Sequence, residues 1–312
     1  MNRASATVAL VIVLTVPLVP LGILAQDITN EATTNKQPKP VLRVAFGMHL
    51  DNGENFERIV QAADIKYEKV RALDLGGWHG WWVQEGAKGL SRSDIQSTPQ
   101  FKSLADGKVD VFVLSTLKSM PHINEGEGKN TAEFLAGLAD VGIKHNPNFR
   151  VVWRLWLRAD GKKQQGVFSL EGTRIRADPK NSKVIEEIVV EINKKHGKQV
   201  VLISPAVYAE IKLVNMVAEG KFPGVKSTED LWIEYNMHGG QFLKALAAYC
   251  NFAVVYGISP EGLKPSYKGL YFSTKGSNVR HSLEDISAEQ DAILQKIAWE
   301  TVSKYPYAGI GK

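Results

Sequence analysis

The stretch VLRVAFGMHLDNG, residues 41–53, decides the fold. Residues 41–46 are apolar except for Arg43, which predicts a strand buried on both faces. Gly47 ends the run, and a segment from Glu54 to Asp64 carries Phe56, Ile59, Val60 and Ala63 at helical spacing. A strand passing through a short loop into a helix is the opening unit of an α/β domain. In open α/β sheets the carboxyl end of the first strand presents reactive groups. Here that junction carries Met48, His49, Leu50 and Asp51, and neither serine nor cysteine.

The alternation continues outward. Residues 67–73 read as a second strand and 108–115 (KVDVFVLS) as a buried third. A fourth, 149–157 (FRVVWRLWL), is opened by the turn NPN, and 199–203 is a fifth. Helical periodicity falls between and after them. It appears over 131–141 (Phe134, Leu135, Leu138), over 182–196 ahead of Gly197, and after Ser204-Pro205 (Val207, Ile211, Val214, Val217). A last helix starts at a capping box, Ser287 with Gln290, and lines up Ile293, Leu294, Ile297, Ala298 and Val302. Five strands separated by helices predict a parallel, doubly wound sheet whose right-handed crossovers place every strand carboxyl end on one edge. There is no internal repeat and no coiled-coil heptad.

The amino terminus has a different character. A short basic start, MNR, precedes the apolar run VALVIVLTVPLVPLGILA and the small residue Ala25, so residues 1–25 read as an export signal. The run approaches the length of a membrane span, but Pro17, Pro20 and Ala25 favour cleavage over an anchor. Residues 26–40, polar and proline-bearing, read as a flexible tether, and 41–312 as one α/β domain. The expected location is secreted or periplasmic. Apolar residues at 44% and charged residues at 23% are ordinary globular values. The single cysteine, Cys250, lies in an apolar stretch, which excludes an intrachain disulfide and disfavours a nucleophile. The net charge of +5 shows no basic stripe interleaved with aromatics, so nucleic acid is not an expected partner, nor is a membrane once the signal is removed.

The loops expected on the reactive edge carry the candidate site. After the first strand come His49 and Asp51. After the second comes LDLGGWHGWW, where Gly76, Gly77 and Gly80 alternate with Trp78, His79, Trp81 and Trp82. Such a stretch makes neither a regular helix nor a tidy strand, and its rings offer flat surfaces for sugars or other ring ligands. After the third strand come Ser115, Thr116, His122 and Asn124; after the fourth, Arg158 and Asp160. Late in the chain, WIEYNMHGGQFLKAL sets His238 ahead of a long apolar helix with Glu234 four residues before it, a pattern suited to an oriented base.

The segment LWIEYNMHGGQFLKALAAYCNFAVVYGISPEGL, together with LQKIAWETVSKYPYAGI, resembles the last conserved block and closing helix of the SGNH (GDSL-like) hydrolase superfamily, in its secreted branch. GKVDVFVLS and NKKHGKQVVLISP also fit that pattern. The resemblance implies a flavodoxin-like three-layer α/β/α sandwich around a five-stranded parallel sheet. It also implies an esterase mechanism of serine nucleophile, histidine base and a glycine–asparagine oxyanion hole. Matched residue by residue, His238 is the base and Glu234 its orienting acid, four residues before it rather than three. Gly77 matches the oxyanion glycine, and Asn124 the asparagine, although STLKSMPHIN lacks the family's G-x-N-D. His49 occupies the place of the serine. Ser115 and Ser91 show no activating neighbours.

Three functional readings follow. The first is an exported ester hydrolase, for example of acetylated carbohydrate, with a replaced nucleophile and no cofactor. The second is a carbohydrate-binding protein using Trp78, Trp81 and Trp82. The third is a hydrolase in which His49, Asp51, His79 and His238 hold zinc and a metal-bound hydroxide replaces the serine.

Overall fold

The computed structural model describes residues 41–47, 53–70, 87–91, 93–97, 99–115, 128–155, 179–233, 238–272 and 281–310. The chain divides into two compact units, Met1–Pro38 and Lys39–Lys312, and all described residues lie in the second. Within it, β1 (Leu42–Gly47), β2 (Tyr67–Lys69), β3 (Val111–Ser115), β4 (Arg150–Arg154) and β5 (Val201–Ser204) form one sheet in the order β2-β1-β3-β4-β5. Every pairing is parallel. This is the three-layer α/β/α arrangement, with helices on both sides of the sheet.

The strand chemistry explains why the sheet is covered on both faces. Val44, Phe46, Phe112, Val113, Val151, Trp153, Val201 and Ile203 are all buried, although neighbours along a strand point to opposite faces. In one layer α1 (Glu54–Ala62) packs on α8 (Gln241–Tyr256), which also touches β4 and β5. In the other, α5 (Gly128–His145) packs on β4 and α6 (Pro179–His196) on β5, and the two helices touch each other. The short helices α2 (Ala87–Leu90), α3 (Ser93–Gln96) and α4 (Pro99–Ala105) extend that second layer beside α5. Helices α7 (Ala206–Ala218) and α9 (Ala288–Val302) also pack on α8 and on each other. Thirteen of the sixteen residues of α8 are therefore buried, and it is apolar all round rather than amphipathic.

The expected elements are present with shifted ends. The third strand begins at Val111 rather than at residue 108, because Gly107 adopts a left-handed turn (φ 68°) and Lys108 to Asp110 still belong to the approach. Helix α5 runs from Gly128 to His145, longer than the apolar spacing alone suggested, and the final helix has its capping box as read: Ser287 Oγ accepts from the Gln290 amide at 3.2 Å and Gln290 Oε1 accepts from the Ser287 amide at 2.8 Å. Two short antiparallel ribbons were not legible: β6 (Trp232–Ile233) with β7 (His238–Gly239), and β8 (Tyr271–Phe272) with β9 (His281–Ser282).

One polar cluster clamps the amino ends of the strands. Asp110 accepts from the Arg43 amide at 2.8 Å, from its guanidinium at 2.7 and 3.0 Å, and from Asn146 Nδ2 at 2.8 Å. Burial opposes the Asp110 charge, but these donors outweigh it and hold the carboxyl below its ordinary value. A lowered folded-state value means the contribution is complete above the unfolded value and is lost as pH falls through the folded one. Asp110→Asn should therefore lower the unfolding free energy at neutral pH by on the order of 1–2 kcal/mol. In urea titrations across acid pH, the gap between variant and parent should close below about pH 4.

Candidate active site

The parallel pairing brings Gly47, Ser115, Arg154 and Ser204, the last residues of β1, β3, β4 and β5, to one edge. Helix α1 follows β1 into one layer and α5 follows β3 into the other, so the crevice between β1 and β3 is the topological switch point of the sheet. His49 and Asp51 belong to the segment that continues β1, Asn124 to the one that continues β3, and Gly77, Trp78, His79, Trp81 and Trp82 to the one after β2. These residues, with Arg158, Asp160 and Glu234, lie outside the described residues. Among the described residues no group of three or more His, Cys, Asp or Glu side chains could hold a metal.

The return of the chain from the edge into α1 is tightly specified. Gly53 has φ 73°, and a Cβ there would lie 2.7 Å from the Phe46 ring. Only glycine satisfies both the backbone angle and the approach.

His238 lies in β7, paired with Ile233 across the ribbon, three residues before α8 begins. The ribbon is anchored by buried Leu231 and Trp232, and the Gly240 amide donates to the Leu231 carbonyl at 2.7 Å. Ser227 and Asp230 cap the 3-10 turn Thr228–Leu231 that feeds it. Both glycines after His238 are required for space: a Cβ on Gly239 would lie 2.7 Å from Leu243 Cβ, and one on Gly240 would lie 2.9 Å from the Leu231 carbonyl oxygen. The motif HGG therefore holds the histidine's backbone close against the first turn of a buried helix.

Beneath the edge lies a buried polar cluster that sequence reasoning did not single out. Arg154 ends β4, Ser204 is its register partner on β5, and Glu210 projects from α7. Arg154 Nη2 and Glu210 Oε1 are 3.8 Å apart, with side chains only 10% and 4% exposed. The fully buried Cys250 of α8 shares this environment: burial pushes its thiol up, and Glu210 adds to the effect. Such a thiol is not a nucleophile at neutral pH. Ser115 ends β3, and Ser91 is an exposed turn residue after α2. The only sequence signal for the ion pair was a charged residue set inside each of two largely apolar runs, Arg154 in FRVVWRLWL and Glu210 in AVYAEIKLV.

A buried pair is costly to halve and cheap to replace. Glu210→Leu alone should destabilise the protein by about 3–5 kcal/mol, whereas Arg154→Met with Glu210→Leu should recover most of that loss in urea unfolding. Gly240→Ala should cost about 1–3 kcal/mol through overpacking, read as a lowered Tm.

Comparison of the chain with protein-family models and with curated proteins finds no match, so a functional reading must rest on its own residues.

Proposed function

We propose that this chain is an exported hydrolase of SGNH-like descent that cleaves carbohydrate esters, with His238 as the general base and Glu234 orienting it. The observation that carries the reading is the strand order β2-β1-β3-β4-β5 combined with a histidine anchored just ahead of the helix that packs on β4 and β5. In such a sheet, ligands bind at the carboxyl edge beside the switch point.

With His49 where the family has serine, direct attack by water is the route open to these residues. The water oxygen adds to the ester carbonyl carbon while His238 takes its proton. The amide of Gly77 and the side chain of Asn124 donate to the oxyanion. Collapse expels the alkoxide, and His238 returns the proton to it.

Two further readings draw support from the same missing serine. The imidazoles of His49, His79 and His238 with the Asp51 carboxylate form a donor set suited to zinc, which would supply an activated hydroxide. A glycan-binding role resting on Trp78, Trp81 and Trp82 needs no nucleophile at all.

One experiment separates the three. The protein is assayed on a chromogenic acetyl ester with and without EDTA and added zinc, beside His238→Ala. Turnover that survives chelation and falls by about 100-fold or more in the variant is the expected result. Turnover abolished by EDTA and restored by zinc would transfer the reading to the metal. Absence of turnover, with retention on an acetylated glycan column that is lost in Trp81→Ala, would leave a binding protein.

A further inference from the structure

We infer that the segment after α9, residues 303–310, is a strap that closes the outer edge of β5 against strand addition by a second copy of this chain. The inference does not rest on the hydrolase reading. A sheet has two outer strands, and each presents backbone donors and acceptors with which another chain can pair. Here they are β2 and β5, and they differ in chemistry. Strand β2 is three residues long with Glu68 and Lys69 exposed, the short charged form that discourages pairing. Strand β5 reads VLIS, carries no charge and is buried throughout. Its outer edge needs a cover.

Two covers meet that need, one for each residue whose backbone faces outward. The carbonyls of Val200 and Ser204 point inward and accept from the Val151 and Leu155 amides. The backbone groups of Val201 and Ile203 therefore point away from β4. At Val201 the Asn193 side chain of α6 stands in for a residue of a neighbouring strand. Its Oδ1 accepts from the Val200 and Val201 amides at 2.8 Å each, and its Nδ2 donates to the Val201 carbonyl at 2.8 Å. At Ile203 the strap takes over, and the Ile203 amide donates to the Tyr307 carbonyl at 2.9 Å.

Side chains seat the strap. The Tyr305 hydroxyl donates to Glu186 Oε1 at 2.7 Å, and its ring centre lies 5.8 Å from those of both Tyr208 and Tyr307. Ala308 is fully buried. Gly309 adopts φ 74°, and a Cβ there would lie 2.9 Å from Leu202 Cδ2. A cover held in this way can be lifted at one residue without altering the strand beneath it. Symmetry names the partner. Two uncovered β5 edges present the same residues to each other, so they can pair about a two-fold axis into one continuous sheet.

The test uses the chain from Gln26, which retains the whole compact unit Lys39–Lys312. Gly309→Val lifts the strap, because the backbone angle and the Leu202 contact both oppose a branched side chain. Asn193→Ala removes the other cover. The parent should be monomeric in sedimentation equilibrium, with its Val201 and Ile203 amides slow in residue-resolved hydrogen exchange. Gly309→Val should speed exchange at Ile203 by about tenfold and leave Val201 protected, and Asn193→Ala should do the reverse. The double variant should dimerise as its concentration rises, and the dimer should regain protection at both amides. If circular dichroism shows the double variant unfolded, the single variants decide: exchange at the uncovered amide should slow as concentration rises, and fast exchange at every concentration counts against the strap. A folded double variant that stays monomeric, a dimer in which both amides still exchange fast, or a parent that is already dimeric would overturn the inference.

Discussion

Parallel pairing of β1 with both β2 and β3 is the constraint on which the rest depends. Parallel neighbours need a crossover between every pair of strands, so all strands share one polarity and the sheet acquires two chemically distinct edges. At the amino edge Asp110 ties β1 to the turn before β4 through Arg43 and Asn146. At the carboxyl edge β4 ends in Arg154, which is buried against Glu210. Removing the polarity of this sheet would scatter both sets of residues.

Helix α8 links the two edges. It starts three residues after His238, and near its far end the Val255 carbonyl accepts from Arg150 at 3.3 Å. It is buried on nearly all sides, and one of its polar groups, the Tyr249 hydroxyl, sits in a hydrogen-bond network. Tyr249 donates to Asp291 at 2.7 Å and accepts from Tyr267 at 2.8 Å, while Gln295 bonds both Tyr249 and Asp291. Burial raises Asp291 above its ordinary value, and these donors pull against it. That network ties α9 and the Tyr267 segment to α8, so the helix behind the histidine is fixed from outside as well as by the sheet.

The sequence disclosed the strands and long helices because their signals are local. Val111–Ser115 and Val201–Ser204 are short β-branched runs bounded by turns, and Ser287 with Gln290 is a cap that acts over three residues. What stayed hidden was set by contacts between distant segments. Strands of two residues, such as Trp232–Ile233 and His238–Gly239, carry no periodicity and exist because Leu231 and Gly240 meet. The pair Arg154–Glu210 joins residues 56 apart in sequence, each looking like a stray charge in an apolar run. Of the candidate site, the backbone position of His238 ahead of its helix was legible. The remaining candidates were nominated by loop position and resemblance, and both depend on how loops converge, which spacing along a chain does not encode.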